Sequence, residues 1–293
     1  MRVLITGSHG LIGTALTDAL ERDGDDVVRL ARGNQWDPEQ GTIDEAVLDN
    51  VDAVVNLAGE GLGEHRWSDQ HKRKVMDSRV KGTTALATAV ARRADQIRCF
   101  VSGSAIGFYG NRGDEVVTEE SGPGTGFLAD VVTHWEAAAA PAVEAGVRTV
   151  FLRTGIVLSA KGGALAKMLP PFRVGAGGWM GNGRQWQSWI SIDDEVAVIR
   201  HALDNDTVEG PLNSVAPNPV TAKEFAKTLG RVLGRPVLVP IPPPALRVMF
   251  GRDMAEEMLL AGQRVRPAKL EADGFGFRHP TLESALRAVL GKG

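Results

Sequence analysis

Cysteine is nearly absent from this sequence. The lone Cys99 rules out an internal disulfide framework, and its place before Phe100 and Val101 in an apolar run reads as a buried thiol. The six histidines are scattered, without the close spacing of a zinc site, so no metal is expected. No run approaches the ~20 apolar residues that span a bilayer. Blocks of like charge are missing too, and a net charge of -3 offers no electrostatic footprint for nucleic acid. Neither a nucleic-acid nor a membrane partner is expected. Met1 runs straight into an apolar segment, which leaves no room for a leader and predicts a cytoplasmic protein. Tyrosine is also scarce, Tyr109 being the only one.

What is present is an ordinary globular balance, 43% hydrophobic and 24% charged. The first half alternates short apolar runs with helical spacing. Val3-Leu4-Ile5 predicts a buried parallel strand, and Leu11, Ile12, Ala15, Leu16, Ala19 and Leu20 predict the helix after it. Val27–Leu30, Val51–Leu57, Cys99–Val101 and Thr149–Leu152 predict further strands, with helices around Lys72–Arg92 and Leu128–Ala145. Repeated βαβ units predict an α/β fold with a Rossmann doubly wound parallel sheet and a smaller C-terminal substrate-side region. After Arg153 the pattern loosens. Lys161–Arg184, rich in glycine and carrying Pro170-Pro171, predicts a long working loop. Ile190–Ala197 and Gly210–Val215 read as returns to the sheet, a helix opens after Pro219, and Pro242–Pro244 introduces a helical tail. The expected division is a Rossmann domain over 1–160, its sheet completed by about 187–216. A substrate-side region follows over 161–293, of which 240–293 is a helical C-terminal segment.

Gly7-Ser8-His9-Gly10-Leu11-Ile12-Gly13 stands between the first strand and the first helix. Gly7 makes the turn, Gly10 lets backbone approach a pyrophosphate, and Gly13 permits close helix–strand packing, with the helix N-terminus facing the anion. The second strand ends Leu30-Ala31-Arg32, where an NAD site usually places an acid for the ribose 2′-OH. A guanidinium there suits a 2′-phosphate, so the expected cofactor is NADP(H), held by Gly7, Ser8, Gly10, Leu11, Ile12, Gly13 and Arg32. Leu57-Ala58-Gly59 ends a later strand in small residues that suit the adenosine side. Arg32 also makes a flavin or S-adenosylmethionine a poorer fit.

With these segments, Ser78–Thr83, Val101–Ser104, Tyr109-Gly110, Leu152–Gly155 and Trp189–Asp194, the chain resembles the extended short-chain dehydrogenase/reductases. Trp36–Pro38, Asn56–Glu60, Met168–Arg173 and Gly262–Arg264 narrow the resemblance to the YfcH-type epimerase-family proteins, whose C-terminal segment has no assigned function. The resemblance implies an Asn-Ser-Tyr-Lys catalytic set, from which this chain departs. Aligning on Glu136 puts Leu128 at the tyrosine position and Val132 at the lysine position; Arg79 falls at the asparagine position, and only Ser104 matches. Catalytic candidates are therefore Ser104 and Tyr109, with Glu119, Asp130 and His134 as other acids or bases. Arg79 reads either as a cofactor-phosphate contact or as a charge pairing its own helix, with Lys74 a lesser cofactor candidate. Val157 reads either as backbone near the nicotinamide or as core.

For a substrate, Arg153, Arg173, Arg184 and Trp186 are the candidates, arginine holding an anion and tryptophan stacking on a ring. Trp179 and Trp189 belong with them, or else these tryptophans form a lid core. Asp193-Asp194 reads either as a pair for metal or acid–base work or, as the resemblance implies, as a helix N-terminal cap, which is favoured. Two functions remain open: an NADP(H)-dependent epimerase- or oxidoreductase-like enzyme on an unknown small molecule, and a non-catalytic NADP(H)-binding sensor or scaffold. The resemblance allows a monomer or a homodimer.

Overall fold

The computed structural model describes residues 1–33, 35–63 and 65–292. β1 (Arg2–Thr6), α1 (Leu11–Arg22), β2 (Asp26–Leu30), β3 (Ala53–Asn56), α2 (Asp69–Ala91) and β4 (Cys99–Ala105) follow one another as the alternation predicts. They are followed by α3 (Phe127–Ala137), α4 (Ala140–Glu144) and β5 (Arg148–Thr154). β1 is buried beyond Arg2 and β3 is buried throughout, because both lie inside a sheet covered on its two faces. The helix expected over Leu128–Ala145 is two pieces, α4 starting afresh with Pro141 in its first turn.

Further along come β6 (Ile156–Leu158), α5 (Gly163–Arg173), β7 (Trp189–Ser191), α6 (Ile192–Asp204), β8 (Gly210–Ser214), α7 (Ala222–Leu233) and α8 (Pro243–Phe250). The six-stranded sheet has the order β8-β5-β4-β3-β1-β2. β1 pairs in parallel with β2 on one side and β3 on the other, Leu4 facing Val28 and Val54. The strand order reverses there, so the carboxyl ends of β1 and β3 open the crevice where doubly wound sheets bind ligands.

Two compact units share the chain, interleaved in sequence. The first comprises 1–105, 130–153 and 196–212, and the second 106–129, 154–195 and 213–293. The core of the first gathers Leu4, Leu30, Val54, Leu86, Val90 and Phe100. That of the second gathers Leu165, Leu169, Phe172, Trp189, Phe225, Leu229 and Leu286.

Two expectations fail here. The stretch Lys161–Arg184 is not one irregular loop, because α5 occupies its first half. Leu165, Leu169 and Phe172 recur at helical spacing and are buried, and Pro170-Pro171 fall in the last turn, where the two N–H donors they remove help to end the helix. Nor does Ile190–Ala197 return to the main sheet. β7 pairs instead with β6, Ile190 against Val157, and the chain then turns directly into α6. Ser191 Oγ accepts the Asp194 N–H at 3.0 Å and donates to the Asp194 carboxylate at 2.8 Å, so the acidic pair starts a helix. Among the described residues no helix is long and apolar enough to cross a membrane. None of their His, Cys, Asp and Glu side chains form a group of three or more that would hold a metal.

Candidate functional site

The turn after β1 is closed by its glycines. Gly7 has φ +66°, and a Cβ there would lie 2.8 Å from the Leu57 carbonyl carbon. A Cβ on Gly13 would lie 2.2 Å from the Gly7 carbonyl oxygen, so only glycine lets α1 start this close to β1. Gly10 caps α1 without a side chain, and the first turn carries no acid. The Gly10 carbonyl accepts the Thr14 N–H at 2.9 Å, which leaves the amides of Leu11, Ile12 and Gly13 ahead of that first helical bond. An anion is the natural acceptor for such amides. Ser8 is buried within the same turn.

Beside this turn the residues after β3 are held by a buried polar network. Thr6 Oγ1 donates to Asn56 Oδ1 at 2.6 Å and accepts the Ala58 N–H at 3.2 Å. Asn56 Nδ2 and Trp135 Nε1 both donate to Thr83 Oγ1, at 2.9 and 3.0 Å. Leu57, Ala58 and Gly59 therefore present fixed backbone. The Arg79 guanidinium lies under Gly59, with its Cζ 3.1 Å from where a Cβ would stand. It donates to the carbonyls of Glu60 (3.0 Å) and Val75 (3.2 Å) and stacks 4.9 Å from the Trp135 ring centre. Burial lowers its pKa to about 10, and Glu60 opposes that shift. Arg79 thus braces the turn and pairs with its own helix through the Val75 carbonyl. Lys74 is exposed on α2. Arg32 stands exposed just past β2, 3.4 Å from Glu39, an open pair of little energetic weight.

Behind the carboxyl ends of the strands lies a cluster that the sequence did not reveal. Ser104 Oγ donates to Glu136 Oε1 at 2.6 Å. Arg153 grips the same carboxylate with two bonds, Nε to Oε1 and Nη2 to Oε2, both 2.8 Å. Arg153 is 3% exposed, so it is committed to Glu136 instead of standing open to a substrate. Glu136 served only to align the sequence; its position one helical turn beyond Val132 was the signal that this carboxylate faces the strand ends.

The NAD dependent epimerase/dehydratase family matches residues 3–213, and a domain of unknown function (DUF1731) matches 241–289. An epimerase family protein of Mycobacterium tuberculosis is 44% identical over 97% of this chain and 96% of its own length. The crystal structure of human epimerase family protein SDR39U1 with NADPH superposes with TM-score 0.91 at 36% identity, covering 100% of both chains. The chain belongs to the NAD dependent epimerase/dehydratase family. UDP-glucose 4-epimerase of Thermus thermophilus, TM-score 0.77 at 18% identity over 100% of this chain and 98% of its own, shares the fold.

Within this epimerase-family chain, several predicted site residues lie in the second unit and do other work. Tyr109 is fully buried; its hydroxyl donates to Asn213 Oδ1 at 2.7 Å and its ring meets Phe108 edge-on. That corrects the proposal of Tyr109 as a proton carrier, since a fully enclosed hydroxyl has no route to a substrate. Glu119 accepts the backbone amides of Asn213, Ala268 and Lys269, a structural staple. Asp130 and His134 are exposed in the first unit, and the His134 ring bonds to the Asp130 carbonyl one turn back. Val157 sits on β6 against Ile190.

Trp186 donates from Nε1 to Asp114 at 2.8 Å, and the Arg264 guanidinium stacks 4.3 Å from its ring. Trp189 is wholly buried, and Trp179 stacks with Lys223. Arg184 is exposed beside Asn182, whereas Arg173 lines a cavity with Arg235 and Lys292. Arg153 is bound to Glu136, and Arg173 and Trp186 have separate partners.

Proposed function

We propose that the chain binds NADP(H) and is an epimerase- or oxidoreductase-like protein of the extended short-chain dehydrogenase/reductase type, acting on a small polar or nucleotide-linked molecule. The observation that carries the reading is the β1–α1 turn, packed so tightly at Gly7 and Gly13 that neither has room for a Cβ, with first-turn amides that no side chain caps. Leu11, Ile12 and Gly13 would hold the pyrophosphate, Arg32 the 2′-phosphate, and Leu57–Gly59 the adenosine side. The family membership and the NADPH in the human relative support the same cofactor. When bound, the nicotinamide supplies hydride transfer. Proton handling departs from the Tyr-x-x-x-Lys scheme, because Leu128 and Val132 stand at those positions and Val132 is buried. On this reading Ser104 Oγ would hold or pass the proton, against a Glu136 carboxylate that Arg153 keeps oriented.

One observation favours the non-catalytic reading. The only tyrosine is sealed in the core, which suits a protein that senses the cofactor and does not turn it over.

The test is calorimetric titration of the wild type and Arg32→Asp with NADPH and NADH. A lost charge-assisted bond to the 2′-phosphate weakens NADPH by roughly 10- to 100-fold and leaves NADH nearly unchanged. Equal weakening of the two overturns the assignment of Arg32, and no heat with either overturns the cofactor.

A further inference from the structure

Three helices of the second unit end on the same pattern. α5 ends at Arg173 and is followed by Gly175, α7 ends before Gly234 and Arg235, and the C-terminal helix (Leu282–Val289) ends before Gly291 and Lys292. Each glycine has positive φ, at +78°, +66° and +61°. Each end is closed by main chain: Ala176 N–H donates to the Pro171 carbonyl at 2.9 Å, Arg235 N–H to Gly230 at 2.8 Å, and Lys292 N–H to Arg287 at 2.8 Å. The terminal carbonyls are thus served without the basic side chains. Only Arg235 spends a donor there, its Nε bonding the Arg173 carbonyl at 2.7 Å, which ties two of the three ends together.

Arg173, Arg235 and Lys292 converge on one cavity of about 380 Å³, walled by Leu233 and Leu290. Among the described residues no carboxylate lines it. Each helix C-terminus contributes about half a negative charge, which offsets only half of three full positive charges. The cavity is therefore strongly positive in a protein whose net charge is -3. An anion placed among them would be held by charge-assisted hydrogen bonds. Two guanidinium forks and an ammonium match the several oxygens of a phosphate. The leucine walls match a short apolar group, and the volume is at the small end of ligand sites.

We propose that this cavity is a binding site for a small organic phosphate monoester, its phosphate held by Arg173, Arg235 and Lys292 and its apolar portion set against Leu233 and Leu290. The site lies wholly within the second unit and goes beyond the cofactor reading.

The test is titration of the full chain with hexyl phosphate, in the wild type and in Arg173→Gln/Lys292→Gln. The three cations are exposed, so the variant keeps the wild-type Tm. Expected are one site per chain, affinity that falls as salt rises, and at least tenfold weaker binding in the variant. No binding by the wild type, or identical isotherms, overturns the proposal. Inorganic phosphate binding as tightly as hexyl phosphate removes the apolar half of it. Co-sedimentation with phosphatidylglycerol vesicles that the variant abolishes, without hexyl phosphate binding, overturns the soluble ligand in favour of a lipid headgroup. NADPH titration of the same variant reports on the first unit, so this proposal and the cofactor reading fail independently.

Discussion

Substituting Glu195 by glutamine should turn a pH-sensitive protein into a less sensitive one. Glu195 is fully buried in the first turn of α6, and its two oxygens accept only hydroxyls, from Ser214 at 2.5 Å and Thr154 at 2.9 Å. Burial raises its carboxyl from 4.5 to about 7, and the two hydroxyls oppose the rise. Because the folded state holds the proton more tightly than the unfolded one, the stabilisation is fully present below about pH 4.5. It is lost as pH rises through about 7. At ~1.4 kcal/mol per pH unit, the interval from 4.5 to about 7 corresponds to about 3 kcal/mol. For a chain of 293 residues that is a Tm change of about 5 °C.

Glu195→Gln is uncharged throughout, and its amide can still meet both hydroxyls. The variant should match the wild type near pH 5 and melt several degrees higher at pH 8.5. The assay is thermal unfolding of both proteins between pH 5 and pH 9. Parallel curves across that range would refute the reasoning, since Glu195 would then be ionised at all of them or protonated at all of them.

Two further outcomes follow from buried polar contacts. Arg153→Met leaves the part-buried Glu136 without its cation and should cost about 1–3 kcal/mol in urea unfolding. Adding Glu136→Gln should recover part of that loss, and a single-variant loss under about 1 kcal/mol would mean the pair is not sustained in solution. Tyr109→Phe leaves Asn213 Oδ1 without its donor and should cost about 1–3 kcal/mol. NADPH affinity should stay unchanged, and a drop would return Tyr109 to the site.

The first unit was legible because its signals are local. A buried parallel strand is an uninterrupted apolar run, as in Val3–Ile5, and the turn after it needs glycine at Gly7 and Gly13 for steric reasons that any sequence would obey. The place of Arg32 just past β2 was legible for the same reason, since the end of a strand is a fixed place, while its contact with a 2′-phosphate is part of the proposal. The Lys161–Arg184 stretch misled because prolines and glycines outweighed a weaker helical spacing that becomes decisive only when Leu165, Leu169 and Phe172 are buried together. Tyr109 misled because scarcity drew attention to a side chain whose hydroxyl is used up inside the core. The convergence of Arg173, Arg235 and Lys292 was invisible, as they lie on three separate helix ends.

By itself, the order of residues determined the sheet's inner strands, the glycine turn with its open amides and the basic end of β2, all set by neighbours within a few positions. Tertiary structure alone decided which partner each polar side chain found: Arg153 for Glu136, Tyr109 for Asn213, and two hydroxyls for Glu195. Burial energy and desolvation depend on what surrounds a group in space, and residues far apart in the chain supply those surroundings.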